Sequence, residues 1–146
     1  MNDERLFTVA RSCLGRRTRK TAALLSRHYA AQLRHTGLSG TEFVLLVTIA
    51  QEPDISVVAL ADKLGLDPTT LVRNVKHASD RRLIAAAGGR GRAGKRLRLT
   101  LEGEEALKRA LDAWEEVNSA LVAKLGPEKV SEGLRFLQAL EDLVRA

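Results

Sequence analysis

The chain has one cysteine, three prolines and five aromatic residues in 146 positions. A lone Cys13 excludes an internal disulfide and suits a reducing compartment. No apolar run approaches the roughly 20 residues that a membrane-spanning helix requires. The first residues, MNDERLFTVARSCLGRR, lack the basic-then-apolar order of a signal peptide, so a cytoplasmic location is expected and no membrane partner. Enzyme signatures are also missing. His28, His35 and His77 are far apart, and there is no phosphate-binding glycine loop, paired-cysteine or His-x3-His metal spacing, or serine elbow. Neither catalysis nor a cofactor or metal is expected.

What the chain does have is aliphatic residues and unevenly placed charge. Apolar residues make up 45% and charged residues 29%, an ordinary globular composition that leans on Leu, Val and Ala. The formal charge is +6, and residues 55–100 hold ten Lys/Arg against three Asp. That segment is therefore net +7, residues 1–54 are +3 and residues 101–146 are −4. Cationic charge gathered on one module points to a nucleic-acid footprint, with a merely solvated basic surface as the alternative.

Local signals divide the chain into helices and one hairpin. Leu6, Val9, Cys13, Leu24, Tyr29 and Leu33 mark one helix over residues 3–33, which Gly37 terminates. Ser39-x-x-Glu42 is a capping box ahead of Phe43, Leu45, Leu46 and Ile49. Ser56 caps a short helix with Val57, Leu60, Ala61 and Leu64 inward, and Gly65 closes it. Asp67-Pro68 opens the next, because aspartate accepts at the N-cap and proline loses nothing at the first helical position. Residues 83–87 and 96–100 read as two strands around a glycine-rich tip, forming a β-hairpin wing. Thr100 caps a long helix, Gly126-Pro127 breaks it, and Val130, Leu134, Leu137, Leu140 and Val144 stripe a last one. Ala61, Gly65 and Leu71 have the spacing of a helix-turn-helix: a small residue for close approach, a glycine turn and an aliphatic lock.

The block Ile55-SVVALADKLGLDPTTLVRNVKHASDRRLI, the hairpin ending Arg96-Leu-Arg-Leu-Thr100, and Leu101-Glu-Gly103 leading into a long helix resemble the MarR family of transcription regulators, over roughly residues 5–145. The resemblance implies a mainly α fold with a small two-stranded β-hairpin wing. It implies one MarR-type domain over residues 1–146, with a winged helix-turn-helix lobe at 37–100 and helical dimerisation regions at 1–36 and 101–146. It further implies a homodimer that regulates transcription on double-stranded DNA, often released by a small, phenolic or other aromatic ligand. In the family an acidic residue and an arginine usually precede the strand-ending Thr by about nine and seven positions. Here those places hold Gly91 and Ala93, so the wing arginine would be Arg90 or Arg92.

These readings assign roles. The helix from Asp67 would lie in the major groove and present Thr69, Thr70, Arg73, Asn74, Lys76 and His77, with Arg73 suited to guanine and Asn74 to adenine. The alternatives are a capping role for the threonines and a surface ion pair for Arg73. Arg90 and Arg92 would enter the narrow minor groove, and Lys95, Arg96 and Arg98 would meet phosphates. Arg81 and Arg82 would meet phosphates or only solubilise the helix end. Leucine stripes in the last two helices read as dimer packing, or else as core. The expected function is a repressor, homodimeric on a near-palindromic operator. Arg17, His28, Tyr29 and Trp114 are candidates for an effector pocket, with plain core aromatics as the alternative for Tyr29 and Trp114. Two other functions compete: a redox-sensing regulator of the same fold, with Cys13 activated by Arg11, Arg16 and Arg17, and an architectural DNA-binding protein that does not switch.

Overall fold

The computed structural model describes residues 3–88 and 94–145. In chain order the elements are α1 (Asp3–Ser12), α2 (Leu14–Leu33), a 3-10 turn (Arg34–Thr36), α3 (Gly40–Gln51), β1 (Ile55–Ser56), α4 (Val57–Leu64), α5 (Pro68–Asp80), β2 (Ile84–Gly88), β3 (Lys95–Leu99), α6 (Leu101–Leu125) and α7 (Pro127–Arg145). The caps form as the sequence suggests. Ser39 and Glu42 close a reciprocal capping box on α3. Asp67 Oδ1 accepts from the amides of Thr69 at 3.0 Å and Thr70 at 2.9 Å. Thr100 Oγ1 accepts from Gly103 N at 3.0 Å to start α6. Gly65 ends α4 at φ 61°, a left-handed conformation that favours glycine, and Leu66 N returns to Ala61 O at 3.0 Å.

The structure corrects the sequence reading in one place and extends it in another. The first helix is two helices. At Cys13 the backbone turns extended (φ −71°, ψ 109°), and its thiol accepts from Arg16 N at 3.4 Å as the N-cap of α2. The polar stretch Arg16 to Lys20 interrupts the apolar stripe of α1 just after the break, and Arg16 Nη1 reaches back to Ala10 O at 2.9 Å. The wing is the expected hairpin of β2 and β3, and β1 adds a third strand to give an antiparallel sheet of order β1-β3-β2, with Leu97 opposite both Ile55 and Ala86. Residues 55–56 were too short to declare themselves as a strand by alternation; they pair because Leu97 and Ile55 are both buried.

The core gathers Leu46, Ile49, Leu60, Leu71, Ala78, Leu83 and Leu97 from the lobe. It continues into the first half of α6 through Gly103, Ala106, Leu107, Ala110 and Ala113. Gly103 abuts the Leu83 carbonyl, where an added Cβ would lie 3.0 Å from the carbonyl carbon and closer still to its oxygen. The start of α6 is therefore packed tightly against the segment entering β2. α1 and α7 bury no residue at all. Leu6, Phe7 and Val9 on α1 and Leu134, Phe136, Leu137, Leu143 and Val144 on α7 are exposed, Leu143 and Val144 by nearly three quarters. Among the described residues, no helix is long and apolar enough to cross a membrane.

Candidate nucleic-acid interface

Helix α5 turns one face inward and the other to solvent. Leu71 and Ala78, seven residues apart, are fully buried. Thr69, Arg73, Lys76 and His77 are exposed. Lys76 Nζ is held by Asp80 at 2.6 Å, one turn on. Asn74, three residues after Leu71 and four before Ala78, is half-buried and lines a hollow with Arg73 and His77. Thr70 is also half-buried, and its side chain bonds to Asp67. That bond, together with the amides of Thr70 and Thr69, holds the Asp67 carboxyl below its ordinary pKa. The capping alternative for Thr70 is thus realised in the free protein.

The sheet stands beside this helix. Val72, Val75 and Lys76 of α5 share one cleft of about 590 Å³ with Ala86, Lys95 and Leu97 of β2 and β3. Lys76 and Lys95 therefore both line it. Lys95, Arg96 and Arg98 are all exposed on β3, but they are not equivalent. Arg98 donates through Nε and Nη2 to both carboxylate oxygens of Asp54, and Arg96 Nη1 reaches Asp54 O at 3.4 Å. Asp54 has φ 67°, a left-handed backbone rare outside glycine, which aims its carboxylate at the strand. Hydrogen bonds from Arg98 hold that carboxyl below its ordinary pKa. The phosphate role expected of Arg98 is thus contested by an ion pair that no local pattern announced. Arg90 and Arg92 lie outside the described residues.

Arg81 is likewise engaged. Its Nη1 donates to Glu42 Oε1 at 2.6 Å and its Nη2 to Gly37 O at 2.8 Å. Glu42 is only 4% exposed, the one buried charged side chain among the described residues. Burial alone would raise its pKa, but hydrogen bonds from the amide and hydroxyl of Ser39 and from Arg81 outweigh this and hold the carboxyl below its ordinary value. Depression in the folded state stabilises the fold above the unfolded carboxyl's pKa, and this is lost as pH falls through the folded one. In acid denaturation followed by circular dichroism, the stability difference between wild type and Glu42→Gln should narrow once pH drops below the usual carboxylate range. A difference independent of pH would show that the ionised carboxylate contributes nothing.

Behind α5 lies a larger cavity of about 750 Å³, walled by α2, α3, the α4–α5 turn and α6. Leu25, Leu33, Phe43 and Val44 make it apolar, and Tyr29, Trp114, Asn118 and Asn74 line it too. Tyr29 Oη donates to Asn118 Oδ1 at 3.1 Å. Two of the four effector candidates, Tyr29 and Trp114, therefore face one cavity. The other two do not line it. His28, the next residue along α2, faces a different hollow with His35 and Glu116, and Arg17 is exposed near the start of α2. Asn118 and Arg27 also line the cavity and were not among the effector candidates; Asn74, expected at DNA, lines it as well. Cys13 is exposed at the α1–α2 break rather than within a helix.

Residues 36–93 match the MarR family model. The fold superposes on the crystal structure of the Mycobacterium tuberculosis transcriptional regulator MosR with a TM-score of 0.77 and 30% sequence identity, covering 90% of this chain and 98% of MosR. The chain belongs to the MarR family. A M. tuberculosis MarR family protein in complex with salicylic acid matches with a TM-score of 0.66 and 26% identity, over 88% of this chain and 96% of that one. Escherichia coli MarR complexed with operator DNA shares the fold at a TM-score of 0.79 and 17% identity, over 91% and 96% of the two chains. No curated protein sequence matches. The small antiparallel sheet and the helices packed on it give this MarR-family chain the winged helix fold of those structures.

Proposed function

We propose that this MarR-family chain is a homodimeric, sequence-specific repressor that reads double-stranded DNA through α5 and is released by a small aromatic ligand. The observation that carries the reading is the exposed face of α5, with Thr69, Arg73, Lys76 and His77 beside the cationic strand β3. A helix of this width fits the major groove, while the strand lysine and arginines lie where phosphates would pass. MosR, at 30% identity, has been crystallised in complex with DNA. A ligand is supported by the apolar 750 Å³ cavity and by the salicylic acid complex of the relative at 26% identity. Arg27 at the cavity's edge suits an aromatic carboxylate. Selection of bound duplexes from a random pool tests the DNA reading: enrichment of a near-palindrome supports it, and recovery of unenriched sequence opposes it.

The homodimer rests on the apolar faces of α1 and α7, in the terminal regions 1–36 and 101–146. Exposed large apolar side chains along two helices that bury none of their residues suit an interface better than a solvated helix. Leu137→Asp should therefore convert a dimer to a monomer in sedimentation velocity and raise the Kd for a palindromic site at least about tenfold, because two linked lobes bind far more tightly than one. A wild type that sediments as a monomer at micromolar concentration would remove the dimer from the proposal.

A further inference from the structure

We infer that Glu42 is a positioning residue for DNA recognition: through Arg81 and His77 it fixes the angle at which α5 stands out from the lobe. The inference rests on the reading of α5 as the DNA-contacting helix. Its basis is a division of labour between the two oxygens of a single buried carboxylate. Oε2 accepts from the amide of Ser39 at 2.9 Å and from its hydroxyl at 2.8 Å, which closes the cap of α3. Oε1 is not needed for the cap and points to α5. It accepts from Arg81 Nη1 at 2.6 Å and lies 3.3 Å from His77 Nδ1.

Arg81 immediately follows the last residue of α5, and His77 is one turn earlier. Both ties therefore grip the C-terminal end of the helix. The inner stripe alone is thin there, with Ala78 the one fully buried side chain of the last two turns. Leu71 anchors the other end, and an aliphatic contact permits rocking that a directed, charge-assisted hydrogen bond does not. Arg81 Nη2 also donates to Gly37 O, at a residue with φ 80°, so the guanidinium clamps the turn before α3 to the end of α5. Arg73, the proposed base reader, lies one turn before His77 on the same exposed face. A small rotation about the Leu71 end would carry Arg73 off its base edge. Arg73, His77 and Glu42 line one small hollow of about 300 Å³, so the base reader and the buried carboxylate are close neighbours.

The sign of the effect separates positioning from simple electrostatics. Glu42→Gln removes a negative charge close to the DNA face, which on Coulombic grounds should tighten binding to a polyanion. The glutamine can still accept from Ser39, so the cap of α3 survives. Positioning predicts the opposite result: affinity for the selected duplex falls about tenfold, affinity for random duplex holds or rises, and Arg81→Gln reproduces the loss of specific affinity. The double variant should lose little more than either single one, because both break the same link. The slope of log K against log salt should be unchanged in Arg81→Gln if that guanidinium serves Glu42, and shallower by about one unit if it contacts a phosphate.

Binding would be measured by fluorescence anisotropy at several salt concentrations, with melting temperature followed in parallel. A Glu42→Gln protein that melts earlier but, when folded, binds the selected duplex as wild type does would reduce Glu42 to a stabilising residue and overturn the inference. Strictly additive losses in the double variant, or a shallower salt slope for Arg81→Gln, would do the same. A wild type that prefers no duplex at all would instead overturn the DNA reading, and this inference with it.

Discussion

Replacing Gly103 with alanine is expected to destabilise the fold by about 3 kcal/mol, the upper range for forcing an extra carbon into a packed site. Helix propensity alone predicts the reverse, since alanine inside a helix is favoured over glycine by about 1 kcal/mol. The contact decides the sign. Gly103 lies in the first turn of α6, with its amide bonded to Thr100 Oγ1, and its α-carbon faces the carbonyl of Leu83. A Cβ there meets backbone rather than the movable end of a side chain. The backbone cannot retreat without loss, because Leu83 O accepts from Thr100 N and Leu83 N donates to Ala78 O. One methyl group would thus strain the cap of α6, the sheet and the exit of α5 together. The melting temperature should fall by roughly 10 °C for a domain of this size. A melting temperature equal to or above wild type would show that α6 can slide away from the sheet.

Arg73→Ala is the second large effect, and it concerns recognition rather than folding. Arg73 is exposed and has no ion pair among those resolved for the described residues, so it is available to a base edge. A bidentate arginine–guanine contact contributes about 1–3 kcal/mol of discrimination, so affinity for the selected duplex should fall by roughly tenfold to a hundredfold. Affinity for random duplex should fall by much less. Lys129→Ala, which removes one positive charge from the exposed first turn of α7, should leave specific binding within about twofold. Equal losses of Arg73→Ala on selected and random DNA would make Arg73 a phosphate contact.

The sequence revealed the parts of this fold that are written locally. Caps at Ser39, Asp67 and Thr100 depend on side chains reaching amides two or three residues on, so spacing alone finds them. Gly65 and the Ala61–Leu71 spacing give the helix-turn-helix for the same reason. What spacing does not carry is contact between distant segments. The pairing of Arg98 with Asp54 joins residues 44 apart, and that of Arg81 with Glu42 joins residues 39 apart. Arg81 and Arg98 looked free for phosphate because their partners belong to other elements. The half-burial of Asn74 was not legible: a 13-residue helix with two fully buried residues leaves its inward face poorly defined from the pattern. β1 escaped notice because two residues cannot show alternation. The division of the effector candidates has a similar origin. His28 and Tyr29 are sequence neighbours, yet adjacent helix positions point about 100° apart, so only Tyr29 faces the cavity with Trp114.

The account depends above all on α5 lying in a major groove. Methylation protection of guanine N7, an atom exposed only in that groove, measures this directly on a selected duplex. The expected footprint is two patches of protected guanines about one helical turn apart, one for each lobe of a dimer, with protection weakened at a single guanine per patch in Arg73→Ala. Full methylation of every guanine by a protein that still binds, or protection confined to the minor-groove face, would contradict it.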